Sequence, residues 1–324
     1  MVSATIKDIK YSIGRYGIIV PMIELDTQVT TSMDQSTGKV LTSSNILVVP
    51  ELGLYDEMDI GVGSIIDIEG YFINDIVTTL NHKLSLSKTS PVLPKEAKRL
   101  IPTHCPVCNT VIREYVGQYV CNNVSCPAQV YQTCIRFIRS VGIYLHGPYL
   151  AIFSTLVARK LIKSPLDIFI TTDHEVLETL DNIAEKHLNL YKALINEAVG
   201  KISLNQLLVG LDIIPCDNTD MVREFVVNLS SKYANTEYSP FDIKALIALV
   251  HECIDKYHLC VDEEVGIRDI STQINKLSDK EYEEFNEAFN NIDSYRLGFL
   301  ISYITNKNNR DMLLAMHNLG ILAQ

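Results

Sequence analysis

No run of about 18 apolar residues occurs in this 324-residue chain, which argues against a membrane-spanning helix. The first ten residues, MVSATIKDIK, contain no apolar segment of the secretory kind. These two absences make a cytoplasmic protein the expectation. No strong internal repeat or low-complexity tract is present. Cations are also scarce. Lys and Arg number 28 against 39 Asp and Glu, a net charge of −11. Phosphate binding needs Lys and Arg, so this balance argues against a protein that coats nucleic acid by bulk charge. What the chain does have is core material. It is 47% hydrophobic and 21% charged, an ordinary globular composition, and its length suggests two or three domains.

The charge is uneven along the chain. Between Lys83 and Arg139 lie Lys83, Lys88, Lys95, Lys98, Arg99, Arg113, Arg136 and Arg139, opposed only by Glu96 and Glu114. This stretch carries +6 and the rest of the chain −17. Such asymmetry permits a local phosphate contact on an acidic body. The plainer reading is a solvated, lysine-rich connector.

Residues 1–82 read as β structure. Ile18-Ile19-Val20, Ile46-Leu47-Val48-Val49 and Ile65-Ile66-Asp67-Ile68 are short β-branched runs, punctuated by Gly14, Gly17, Gly38, Gly61, Gly63 and Gly70. That pattern predicts a small barrel or sandwich. Residues 83–104 read as a basic linker, because Ser85, Ser87, Ser90, Pro91 and Pro94 break any period. From residue 130 to 324 the period turns helical, most plainly over 149–162, 175–200, 241–257 and 281–324. Asp173 and Ser239 are plausible N-caps.

Between linker and helices lies the densest chemistry. Cys105-Pro-Val-Cys108 and Cys121-Asn-Asn-Val-Ser-Cys126 are two turn-borne pairs flanking a stretch, Thr110 to Val120, with hairpin alternation. Two such pairs bring four thiolates to the corners of a tetrahedron, the arrangement of a zinc ribbon over 105–129. Four ligands fill the shell, so the zinc is structural, and its binding energy is folding energy for so small a module. His104 precedes Cys105 and is a competing ligand by position. The remaining cysteines, Cys134, Cys216, Cys253 and Cys260, are scattered among apolar residues and read as free thiols without disulfides. Cys253, His258 and Cys260 lack a fourth ligand at a compatible spacing. His146, His251, His258 and His317 stand alone on mixed faces, and no catalytic residue is assigned.

Cys126-Pro127-Ala128-Gln129, the CPAQ that closes the cysteine cluster, resembles the zinc finger of bacterial NAD-dependent DNA ligases. Ile13-Gly14-Arg15-Tyr16-Gly17-Ile18-Ile19-Val20-Pro21 is similar to the VGRTGxxxP opening of that family's oligonucleotide-binding (OB) domain. Asn309-Arg310 with Met312-Leu313, Met316 and Leu319-Gly320-Ile321 resembles the end of its helix-hairpin-helix domain. The order barrel, finger, helices is also the family's. The resemblance therefore implies a multidomain fold: OB-like barrel, four-cysteine zinc ribbon, and an all-α, degenerate helix-hairpin-helix domain.

The family attaches AMP to a lysine in a KxDG motif, and this chain contains no Asp-Gly dipeptide. The resemblance thus implies the nick-clamping subunit of a ligase divided between two polypeptides, as in some bacteriophages. A separate adenylation-domain subunit would use NAD and Mg2+, and this chain alone would be inactive. Its ligand would be nicked double-stranded DNA, in the (host) cytoplasm, in replication and repair. Arg15 matches the family's DNA-facing arginine, and Asn45 in Leu41-Thr42-Ser43-Ser44-Asn45 falls where the family has ATLHN. Lys95, Lys98 and Arg99, continued by Arg136 and Arg139 at a spacing of three, would form a phosphate track. There are departures. Ile68-Glu69-Gly70-Tyr71 replaces a usually basic segment. Of the two hairpin candidates, 141–148 keeps glycines and 182–186 does not, so the second is expected to be structural. Residues 233–280 match poorly and are expected to meet the partner subunit. Competing readings are a non-catalytic DNA-binding or scaffold protein derived from a ligase and, with little support, a zinc hydrolase, which would need an open metal position.

Overall fold

A computed structural model describes residues 2–33, 39–71, 80–172, 183–213, 225, 243–261, 265, 267–289 and 292–322. The chain divides into two compact units, Met1–Gln132 and Thr133–Gln324. Asp173, Asn182, Cys216, Ser239 and part of 233–280 lie outside the described residues.

In the first unit, β1 (Val2–Ile13) and β2 (Ile19–Met33) form a hairpin with Ile13 opposite Ile19. In β2, Ile19, Pro21, Ile23 and Leu25 are buried in strict alternation, the period-two signature of a strand with one face on a core. The alternation breaks at Asp26, Thr27 and Gln28, which are exposed, and resumes at Val29. The pairing of β2 with β3 (Val40–Val48) shifts register at the same place, between Glu24 and Val29. Such an irregularity bends a strand and increases its twist. A single 3-10 turn, Leu52–Tyr55, follows. Then come β4 (Ile65–Tyr71), antiparallel to β1, and β5 (Asn81–Leu86), antiparallel to β4.

The five-stranded sheet has the order β3-β2-β1-β4-β5. Among the described residues no ladder closes it into a barrel. Its ends approach where β2 runs past β1: the Leu80 N–H donates to the Thr31 carbonyl at 3.0 Å, and His82 Nε2 lies 2.8 Å from the Thr30 carbonyl. The core beneath it includes Ile6, Ile9, Ile23, Leu25, Leu47, Ile66 and Leu84, covered by Leu52, Tyr55 and Leu100.

The stretch expected to be a solvated linker is part of this unit. Residues 83–86 complete β5, where Lys83 pairs with Glu69 and Ser85 with Asp67. Beyond them the chain is irregular but hydrogen-bonded to the sheet. Ser87 N–H donates to Ile65 O (2.9 Å), Ile65 N–H to Ser90 Oγ (3.0 Å), Val62 N–H to Lys98 O (2.9 Å) and Leu100 N–H to Ile60 O (2.8 Å). Serine and proline spoil the strand period without preventing backbone bonds to a neighbour.

After the short hairpin β6 (Arg113–Tyr115) and β7 (Gln118–Val120), the regular elements among the described residues are helices. The unit boundary falls within α1 (Pro127–Ser140). Then come α2 (Pro148–Ala158), α3 (Asp167–Ile170), α4 (Glu185–Ala198), α5 (Leu204–Gly210), α6 (Ile243–Lys256), α7 (Ile267–Ile274), α8 (Asp279–Ala288), α9 (Ser294–Thr305) and α10 (Lys307–Asn318). Their starts follow ordinary capping chemistry. Ser203 and Ser278 make full capping boxes with Gln206 and Glu281, while Asp293 and Asn306 accept from the backbone three residues on. Phe137, Phe153, Leu156, Tyr191, Leu207 and Ile301 are wholly buried. Gly298 lets α9 close on α7, since a Cβ there would sit 2.9 Å from the Ile267 carbonyl. No described helix is long and apolar enough to cross a membrane.

Candidate metal centre

Each cysteine pair sits on a turn that the local sequence enforces. In the first, the Asn109 N–H donates to the Cys105 carbonyl and the Cys105 N–H to the Thr110 carbonyl, at 2.9 and 2.8 Å. Asn109 takes φ 58°, a left-handed conformation that asparagine tolerates better than most residues. In the second, the Cys126 N–H donates to Asn123 O (2.8 Å) and the Ser125 N–H to Asn123 Oδ1 (3.1 Å). Cys126 then leads directly into α1, with Pro127 at its first position, where the missing N–H costs nothing.

The result is a compact thiol cluster. The four sulfurs of Cys105, Cys108, Cys121 and Cys126 lie within 4.8 Å of one another. Cys105 Sγ is 3.8 Å from Cys126 Sγ, and Cys108 Sγ is 3.5 Å from Cys121 Sγ. Metal–sulfur bonds of about 2.3 Å in a regular tetrahedron require sulfur–sulfur edges of about 3.8 Å. The donor set thus fits a divalent, thiophilic ion such as zinc, and four sulfurs leave no position open. All four are free thiols. His104 does not join them; its Nδ1 lies 3.0 Å from Thr103 Oγ1.

Burial raises the Cys121 thiol to about 12 and the Cys126 thiol to about 11. Backbone N–H groups oppose this, that of Asn123 at Cys121 and those of Ala128 and Gln129 at Cys126. At Cys108 burial also opposes ionisation, but hydrogen bonds from Thr110, Asn123 and Cys121 outweigh it and bring the thiol to about 6. Without a cation Cys121 and Cys126 hold their protons; a metal ion displaces them.

The cluster does not stand alone. Cys105, Cys121 and Cys126 share a small core with Ile13 and Ile19, at the tip of the β1–β2 hairpin. The turn there, Gly14 to Gly17, is closed by Gly17 N–H to Gly14 O and Gly14 N–H to Ile18 O, both 2.9 Å. Gly17 has φ +79°, and a Cβ on it would meet the Cys121 carbonyl at 2.2 Å. No side chain other than hydrogen fits there. The β6–β7 turn is fixed too, because the Gly53 N–H donates to the Gly117 carbonyl at 3.0 Å.

Of the expected DNA contacts, Arg15 rides on this hairpin turn, half-buried, its guanidinium 4.7 Å from the centre of the Tyr16 ring. Asn45 is exposed on the edge strand β3 rather than in a turn. Lys95 is exposed. Lys98 pairs with Asp8 (3.3 Å), and the Ile9 N–H and Lys98 together hold that carboxyl below its usual range. Arg99 pairs with Asp59 (3.0 Å) and donates to the Pro94 carbonyl. Thus Lys98 and Arg99 lie side by side on the segment stitched to the sheet, each with a carboxylate. In the second unit Arg136 is paired with Asp212 at 2.9 Å, and Arg139 is exposed in the last turn of α1.

Sequence reasoning overlooked Gln129. It is buried, and its Nε2 donates to the carbonyls of Cys121 (2.6 Å) and Asn123 (3.0 Å). Its one signal was its place in CPAQ. Of the described scattered thiols, all free, Cys134 and Cys253 are buried as expected and Cys260 is exposed; burial lifts Cys134 to about 12. Cys253, His258 and Cys260 form no metal-ligating group among the described residues. No protein-family model matches the chain.

Proposed function

We propose that this chain is the DNA-clamping subunit of an NAD-dependent DNA ligase, working at nicks with a separate adenylation-domain subunit. The observation that carries this reading is a contact. The two segments with the most family-like wording, Gly14-Arg15-Tyr16-Gly17 and Cys126-Pro127-Ala128-Gln129, are remote in sequence yet meet around Cys121. An OB-like role for the sheet and a helix-hairpin-helix role for the helices agree with it. In the hairpin candidate at 141–148, Gly142 and Gly147 both have positive φ and precede α2.

In this reading the partner binds NAD and Mg2+ and carries AMP on a lysine, a nucleophile absent here with the Asp-Gly dipeptide. Zinc, held by Cys105, Cys108, Cys121 and Cys126, supplies rigidity and no reaction step. Arg15 offers a planar fork suited to a phosphate beside the nick. Lys95, Lys98, Arg99 and Arg139 add weaker contacts. Exposed ion pairs are worth roughly 0–1 kcal/mol, so Lys98 can exchange Asp8 for a phosphate at little cost. Arg136 and Asp212 are both largely covered, so Arg136 contributes least. Clamping accelerates joining by orienting the two ends. Replication and repair in the cytoplasm of a cell or viral host is the matching setting.

A second reading, a non-catalytic DNA-binding scaffold, draws support from the net charge of −11 and from the carboxylates beside Lys98, Arg99 and Arg136. Nick sealing separates the two. The zinc-loaded chain alone seals nothing with NAD and Mg2+, and adding an adenylation-domain subunit restores joining. A mixture that never joins, or covalent AMP on this chain by itself, contradicts the ligase reading.

A further inference from the structure

The β1–β2 turn and the second cysteine pair form one hydrogen-bonded unit. The Cys121 N–H donates to the Gly17 carbonyl at 2.9 Å, and Ile18 bridges Val120 alongside. The carbonyl of Cys121 accepts from Gln129 Nε2 at 2.6 Å, and the same nitrogen donates to the Asn123 carbonyl at 3.0 Å. Gln129 is 5% exposed, so water does not readily replace it. It stands in the first turn of α1, which begins immediately after the ligand Cys126.

We propose that Gln129 is a positioning residue that locks the Arg15 turn to the metal knuckle, so that metal retention and turn geometry are coupled. A primary amide suits this place because one nitrogen brings two N–H donors to two carbonyls. Methionine has similar bulk and no donor; glutamate would set acceptors against acceptors. Coupling is reciprocal. A change at Gly17, which is no ligand, must loosen the metal. Removing the metal must loosen the turn. Gly17→Ala probes the first direction, because its Cβ would lie 2.2 Å from the Cys121 carbonyl and 2.9 Å from Gln129 Nε2.

The test uses the full chain carrying one zinc and measures zinc transfer to a chromophoric chelator. Gln129→Met and Gly17→Ala each speed transfer about tenfold or more, a factor equivalent to about 1.4 kcal/mol. Wild-type rates in both variants overturn the coupling. Should either variant fail to fold, the wild-type chain still decides. On zinc removal the Gly14, Gly17 and Cys121 amides lose hydrogen-exchange protection together, whereas retained protection at Gly14 and Gly17 overturns the proposal.

The consequence for DNA rests on the proposed function. With zinc bound, Gln129→Met weakens nicked-duplex binding by the same factor as Arg15→Ala. If Arg15→Ala has no effect while zinc transfer is accelerated, the DNA reading fails and the coupling stands. If zinc transfer is unchanged while Arg15→Ala weakens binding, the coupling fails and the DNA reading stands.

Discussion

The cysteine module and the helical unit reach order by opposite routes. Residues 105–126 bury little besides their own thiols and lean on Ile13 and Ile19, with Val107, Val111, Tyr115, Val116 and Val124 left exposed. A module of that size has too little apolar surface to offset its chain entropy without a metal. The helical unit buries Phe137, Phe153, Phe285, Phe289 and Tyr191 with many Leu and Ile, and no metal-ligating group occurs among its described residues. The lesson is that one chelator should divide the molecule. It should abolish order around Arg15 and leave the helices unchanged.

The largest expected effect follows from that division. Zinc removal, or Cys126→Ser, unfolds 105–126 and releases the Gly14–Gly17 turn, because structural zinc contributes on the order of 10 kcal/mol. Hydrogen exchange should show full loss of protection there and native protection in α2, α4 and α9. Equal loss in both regions would break the comparison. Next, Phe153→Ala should lower the stability of the helical unit by about 3–5 kcal/mol while leaving one zinc per chain, read by denaturant unfolding and metal analysis. Ser278→Ala, which removes the hydroxyl that accepts from the Glu281 N–H and leaves the backbone arm of the capping box, should cost about 1 kcal/mol by the same unfolding assay. Tyr191→Phe should act in the other direction by about 1 kcal/mol. Among the described residues its hydroxyl is buried without a hydrogen-bond partner, and burial holds its pKa well above the usual value.

Acidity sharpens the contrast at the metal end. Cys121 and Cys126, raised to about 12 and about 11 without metal, must each lose a proton to bind it. Zinc affinity therefore rises from pH 6 to pH 8 and falls on acidification. The sign is set by proton release: a pH-independent affinity would mean that these thiols are already ionised in the metal-free chain.

Much of the fold was legible in the sequence, but unevenly. The β-branched runs at 18–20, 46–49 and 65–68 fall in or beside β2, β3 and β4, and the thiol cluster is the one its spacing requires. Within the described residues the helical periods match α2, α4, α6 and the run from α8 to α10, while 175–182 lies outside them. What was not legible depends on backbone contacts between distant residues. The segment after β5 looked like a linker because side-chain pattern carries no record of bonds such as Val62 N–H to Lys98 O. Asn45, expected only from its place in the family-like segment, lies in β3 where the pairing with β2 shifts register, a placement the letters do not carry. The ion pairs of Lys98, Arg99 and Arg136 were equally hidden, as Asp8, Asp59 and Asp212 lie far away in sequence. Gln129 was seen as a letter in a motif, and its work as a clamp on two carbonyls needed the fold.

Affinity for a nicked against an intact duplex, measured across a salt series with zinc-loaded wild type and Arg15→Ala, addresses the proposed DNA-clamping role most directly. The account predicts tighter binding at the nick, with Arg15→Ala losing that preference and reducing the salt slope by about 1. Equal affinity for the two duplexes, unaffected by Arg15→Ala, would contradict it.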